Sequence, residues 1–117
     1  MTPFGQRIRE LRAQRGITLK QMAAELNLSS AYLSALEHGQ RGRPSPGLVM
    51  QILGYLGVIW DEAEDIKVLA ELSHPKVMID TSGLSPTATE LANRLSRRIR
   101  ELPEEKLLHL LELVRDE

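Results

Sequence analysis

Residues 19–38, LKQMAAELNLSSAYLSALEH, read as two short helices meeting over a tight turn. Such a pair makes specific demands. The first helix needs a small residue where the second crosses it, and Ala23 stands there. The turn needs glycine or a residue that tolerates positive φ, and Asn27 stands there. Apolar residues must hold the pair together, and Met22, Leu26, Leu28, Leu33 and Leu36 fall where helical spacing turns them inward. All seven positions agree in register, which a chance match rarely does.

Working outward, the flanks also read as helices. Phe4, Ile8 and Leu11 share one face of a helix over 4–15, stopped by Gly16. Thr18 and Ser29 are N-caps for the second and third helices. Gly39 ends the third. Ser45, with Pro46 at the first helical position, opens a fourth helix that turns Val49, Ile52, Leu53 and Leu56 inward and ends at Gly57. Ala63, Ile66, Leu69 and Ala70 predict a fifth, from near Asp61 to Leu72, broken by SHP. The expected fold class is all-α.

Composition agrees. Hydrophobic residues make up 42% and aromatics 3%, so Leu, Ile, Val, Ala and Met must build the core. With no cysteine, disulfides and thiolate metal sites are excluded, and a reducing cytoplasm is the expected location. No apolar run suits a membrane span or a signal peptide. The net charge of −1 hides an asymmetry. Seven basic residues face three acidic ones in 1–45, giving +4, and eight face thirteen in 46–117, giving −5. A basic front can attract phosphate while the acidic rear keeps the molecule soluble.

The stretches IRELRAQRGITLKQMAAELNLSSAYLSALEHG and RPSPGLVMQILGYLGV are similar to the phage-repressor and Cro-like (Xre) helix-turn-helix family. The resemblance covers residues 4 to about 72. It implies a five-helix, lambda-repressor-like DNA-binding domain over 1–73. That domain would act as a homodimer on a pseudo-palindromic operator in double-stranded DNA, with its third helix in the major groove. Carried over, it implies groove-facing Ser30, Ala31, Ser34 and Ala35, beneath the Ser29 cap, with Tyr32 and His38 nearer the DNA backbone. Thr18 and Lys20, at the start of the second helix, would face one phosphate. Arg41, Arg43 and Ser45 would face the other side of the groove. It also implies an internal ion pair between Arg12 and Glu37. Three departures stand out. Leu19 replaces a frequent glutamine, Asn27 replaces the turn glycine, and the loop after Gly39 is about one residue longer, with Gly42 between two arginines.

Residues 74–117 lie outside the resemblance and read as a helical extension. KVMID allows a short strand near 76–80. Ser85 and Pro86 open a sixth helix, in which Leu84, Leu91, Leu95, Ile99 and Leu102 form a stripe, and Pro103 opens a seventh. A stripe that wide must be covered. It could fold back on the front domain, meet a second copy, or do both. Dimerisation is favoured, through Leu91, Leu95, Ile99, Leu107, Leu111 and Val114, because the family fold is complete without this segment. Arg97, Arg98 and Arg100 could touch nucleic acid, but pairing of Arg94 with Glu90 and of Arg97 with Glu101 is the simpler account.

No nucleophile, paired-carboxylate pocket or metal-ligand spacing suggests an enzyme, a metal site or a cofactor. DTSG at 80–83 is one residue too long for an aspartic-protease loop and has no second copy. The reading is thus a transcriptional regulator, a repressor, associated with the nucleoid when bound. The alternative is an adaptor or antitoxin-like protein whose leucine-rich C-terminal helices bind a protein partner.

Overall fold

Seven helices form in chain order: α1 (Pro3–Arg15), α2 (Leu19–Glu25), α3 (Ser30–Glu37), α4 (Pro46–Leu56), α5 (Trp60–Glu71), α6 (Pro86–Arg98) and α7 (Glu104–Val114). The structure is a computed structural model that describes residues 1–115. Asp116 and Glu117, the end of the extension, lie outside the described residues. The chain divides into two units, Met1–Val77 and one that begins at Met78.

Local chemistry sets the helix ends of the first unit. Thr2, Thr18, Ser29 and Ser45 each accept a backbone N–H from the first turn of the helix they open. At Thr18 the capping is reciprocal: its hydroxyl accepts from Gln21 N at 3.0 Å, and Gln21 Oε1 accepts from Thr18 N at 2.8 Å. Gly16 and Gly57 close α1 and α4 in the left-handed conformation. α5 opens without a hydroxyl cap, but Asp61 and Glu62 place negative charge at the positive end of its dipole. Its first residue, Trp60, has φ of 59° and is 81% exposed. That backbone conformation is strained for a bulky side chain.

The core of this unit draws on all five helices. Phe4, Ile8 and Leu11 of α1 meet Met22 and Ala23 of α2, Leu33 and Leu36 of α3, Val49, Ile52, Leu53 and Leu56 of α4, and Ile66 and Ala70 of α5. Leu26 and Leu28 pack against its edge half-buried. Two ties close the unit. Ser73 accepts Phe4 N at 2.9 Å and donates to Leu69 O at 2.6 Å, which fixes the end of α5 to the start of α1. Arg15 donates through Nε to Leu56 O at 2.8 Å, placing a cation at the C-terminus of α4.

In the second unit α6 is capped by Ser85, whose hydroxyl accepts Ala88 N, while Pro103 precedes α7 without a side-chain cap. The KVMID run does not form the strand that its composition allows. Among the described residues there is no strand, only an isolated bridge between Gln40 and Gly42. β-propensity is chiefly a preference for packing in a paired sheet, and no partner strand exists here. The turn after it is held by Asp80, whose Oδ1 accepts Ser82 N at 2.9 Å. Hydrogen bonds from the Ser82 side chain and backbone hold the Asp80 carboxyl below its ordinary pKa. Arg94 pairs with Glu90 at 2.7 Å, but Glu101 lies nearest Arg98, at 3.9 Å, rather than Arg97. The chain leaves α6 at Ile99, so i,i+4 helix spacing no longer holds there.

Gly5 marks the tightest contact in the first unit. A Cβ there would sit 2.1 Å from the backbone oxygen of Glu37. Gly5→Ala is expected to cost about 2–3 kcal/mol of stability in urea unfolding, because that carbonyl is itself held and cannot retreat.

Candidate nucleic-acid interface

The α2–α3 corner is built by a backbone turn and a close crossing. Asn27 has φ of 57°, and Leu28 N returns to Ala23 O at 2.8 Å. Ala23 is buried at the crossing, where a larger side chain would push α3 away. Leu33 and Leu36 anchor the inner side of α3, leaving Ser29, Ser30, Ala31 and His38 exposed and Tyr32, Ser34 and Ala35 half-buried. The outer face of α3 is therefore short and made of small side chains, edged by Tyr32.

Glu37 fastens α3 to α1. Its Oε1 and Oε2 accept from Arg12 Nη2 at 3.2 and 3.1 Å. The two side chains are only 10% and 5% exposed. Arg12 Nη1 also reaches Ile17 O at 3.4 Å, while its buried Nε has no partner. The Glu37 backbone oxygen accepts Thr2 N at 3.0 Å. Charge and carbonyl thus both point inward, so Glu37 is not available to a ligand.

The loop after α3 is pinned rather than loose. Gly39 turns with φ of 78°, and Gln40 N donates to Ala35 O at 2.9 Å. Arg41 then lies with its guanidinium 6.0 Å from the centre of the Tyr32 ring, a cation–π contact that holds it at the margin of α3. Arg43 goes elsewhere. With Pro44 and Pro46 it lines a cleft of about 350 Å³ between α4 and α5, beside Val49, Lys67 and Glu71. Among the described residues neither arginine forms an ion pair, and neither does Lys20. His38 turns back on its own helix, Nδ1 lying 2.8 Å from Ser34 O, and borders a second cleft with Met1, Thr2, Ser73 and His74. The structure thus brings Arg41 to Tyr32 and ties His38 to Ser34, while Arg43 lines the cleft between α4 and α5.

Thr18 and Ser45 cap α2 and α4, and Ser29 caps α3 by accepting Tyr32 N at 3.0 Å. Each hydroxyl oxygen is engaged by its own helix, and its proton remains for an outside acceptor. The unpaired N–H groups of a first turn attract anions for the same reason that they need a cap.

The family model described as a helix-turn-helix domain matches residues 3–66, the span that holds the α2–α3 corner. The chain belongs to this helix-turn-helix family. Two relatives come from Bacillus subtilis (strain 168). An uncharacterised HTH-type transcriptional regulator, RghRB, is 41% identical over 61 residues, covering 52% of this chain and 44% of that protein. The HTH-type transcriptional repressor RghR is 33% identical over 61 residues, covering 52% of this chain and 45% of that protein. The chain spans less than half the length of either relative. No solved structure matches it.

Reasoning from sequence did not find the Thr2–Gly5–Glu37 junction, the Ser73 tie or the stacking of Arg41 on Tyr32. Thr2–Pro3 carries the same N-cap signal as Ser45–Pro46, so the start of α1 was open to reading. The Gly5–Glu37 and Phe4–Ser73 contacts join residues far apart in sequence, and none of these contacts leaves a local trace.

Removing one partner of the buried pair leaves an uncompensated charge. Glu37→Ala or Arg12→Ala is expected to lose about 3–5 kcal/mol in denaturant unfolding. Arg12→Met combined with Glu37→Leu should lose much less than the two single costs together, since it removes both charges.

Proposed function

We propose that the chain is a sequence-specific regulator of transcription that binds double-stranded DNA and acts as a repressor. The observation that carries this reading is the outer face of α3. It offers small side chains with Arg41 held beside them, on a helix locked from behind by Glu37. Membership of the helix-turn-helix family supports it, as does the naming of one relative as a repressor. The +4 charge of residues 1–45 supplies attraction to phosphate.

In this reading α3 enters the major groove. Ser30 and Ser34 offer hydroxyls to base edges, and Ala31 and Ala35 offer methyl contact to thymine. Thr18, Lys20 and the capped start of α3 at Ser29 meet phosphate on one side. Arg41 meets phosphate across the groove, braced by Tyr32, with Arg43, Ser45 and His38 at the periphery. Hydroxyl and methyl contacts discriminate less than bidentate pairs do, so DNA shape and half-site spacing supply much of the selectivity.

Two copies bind together, joined through Leu91, Leu95, Ile99, Leu107, Leu111 and Val114 of the second unit. All six side chains are exposed or half-buried, Leu91 at 55% and Val114 at 73%. A two-fold dimer would place half-sites about 10–10.5 base pairs apart, centre to centre.

Recovery of bound fragments from a genomic or random DNA pool tests the reading, and no enriched sequence would contradict it. Arg41→Ala with Arg43→Ala should reduce the slope of log affinity against log salt by about one for each phosphate no longer neutralised. Because the two arginines diverge, Arg41→Ala alone should carry most of that change. Ser30→Ala with Ser34→Ala should shift operator preference modestly. Complete loss of preference would mean that the two hydroxyls, rather than DNA shape and half-site spacing, supply most of the selectivity.

A further inference from the structure

The described part of the second unit, residues 78–115, contains two amphipathic helices and no buried residue. Many of its apolar side chains stand open, from Met78 at 94% to Leu111 at 43% exposure, while Leu95, Leu102, Leu107 and Leu110 are half-buried. Helices of 13 and 11 residues are marginal alone in water, and most helical stability comes from covering an amphipathic face. A segment this small has little means of folding without a partner surface.

We infer that this surface is the same pair of helices in a second copy, that α6 of one copy lies against α7 of the other, and that the helices form only as the copies associate. This rests on the dimer proposed above and adds what the dimer does: folding of the tail and association become one event.

Charge selects the occupant. Residues 86–102 hold four arginines against two glutamates, net +2, while residues 103–117 are net −3. The ion pairs of this unit, Arg94–Glu90, Arg98–Glu101 and Arg115–Glu112, are between near neighbours, and none joins α6 to α7. Among the described residues Arg97, Arg100, Glu104 and Glu105 form none. A second copy can bring these unpaired charges opposite one another, which no ion pair within one copy does among the described residues. Basic α6 meets acidic α7, and the two-fold axis repeats the contact in reverse, which makes the surface self-complementary. Pairing α6 with α6 would set like charges together.

The experiment uses the full chain without DNA. Its one tryptophan and both tyrosines, Trp60, Tyr32 and Tyr55, lie in the first unit, whereas α6 and α7 hold about a third of the helical residues. Tryptophan emission therefore follows the first unit, and far-ultraviolet circular dichroism follows both. On dilution from about 100 µM to about 0.1 µM, mass action favours the monomer. The mass by sedimentation should halve, about a third of the helical signal should disappear in step, and Trp60 emission should hold. Leu95→Glu with Leu111→Glu should produce that state at every concentration, which keeps the test decisive if the natural dimer does not dissociate. Arg97→Glu with Arg100→Glu should weaken the dimer several-fold, as should Glu104→Lys with Glu105→Lys, and mixing the two variants should restore it. Full helix content in a monomer would overturn the coupling. Unaltered association in both charge variants would overturn the pairing of α6 with α7. Neither result touches DNA recognition, whereas a coupled dimer without operator preference would spare this inference and remove the regulator.

Discussion

Glu37 binds α1 through both its side chain and its backbone. The carboxylate takes the Arg12 guanidinium, the carbonyl takes the Thr2 N–H, and Gly5 leaves the space that lets the carbonyl approach. Three contacts from one residue fix the far end of α3, while the Ala23 crossing and the Asn27 turn fix its near end. Replacing a buried ion pair with apolar residues is often harmless to stability, so this pair matters less as a store of energy than as a geometrical constraint. It sets which face of α3 points outward. Without it, the small side chains of that helix would have no defined surface to present.

That constraint bears on how so plain a helix would recognise DNA in the proposed reading. A rigid scaffold allows short side chains to be held close to a partner. Selectivity can then come from the fit of the helix and from flanking cations rather than from long side chains that search for base edges. Arg41 shows the same economy: a cation–π contact with Tyr32 favours its position at the edge of the surface. Arg43, only two positions later and beyond Gly42 in the left-handed conformation, lines the cleft between α4 and α5 instead. The two arginines look alike in sequence and differ in place.

The five helices of the first unit and most of its core were legible in the sequence, because capping hydroxyls, left-handed glycines and helical periodicity are local signals. Ser45–Pro46 and Gly57 bracket α4 at the positions observed, and Thr18 and Ser29 likewise mark the starts of α2 and α3. Arg12 and Glu37 were reached through family resemblance rather than spacing. Gly5 was missed because its role depends on a carbonyl 32 positions away. KVMID suggested a strand because composition reports what a segment prefers when paired, and no partner strand is present among the described residues. The candidate surface was legible as residues but not as an arrangement: nothing local distinguishes Arg41, stacked on a ring, from Arg43, lining a cleft.

In the proposed reading the first unit meets DNA and the second joins two copies, and the +4 charge of residues 1–45 favours phosphate. The central claim is that the outer face of α3, with Arg41 beside it, is the surface that meets DNA. The most direct test is a residue-resolved nuclear magnetic resonance titration of the full chain with a duplex taken from its recovered fragments. The account predicts that amide shifts concentrate at 18–20, 29–35 and 41–45, while those of Arg12, Glu37 and the buried leucines remain near their free positions. Shifts confined to other surfaces, with 29–35 unmoved by a duplex that binds, would contradict it.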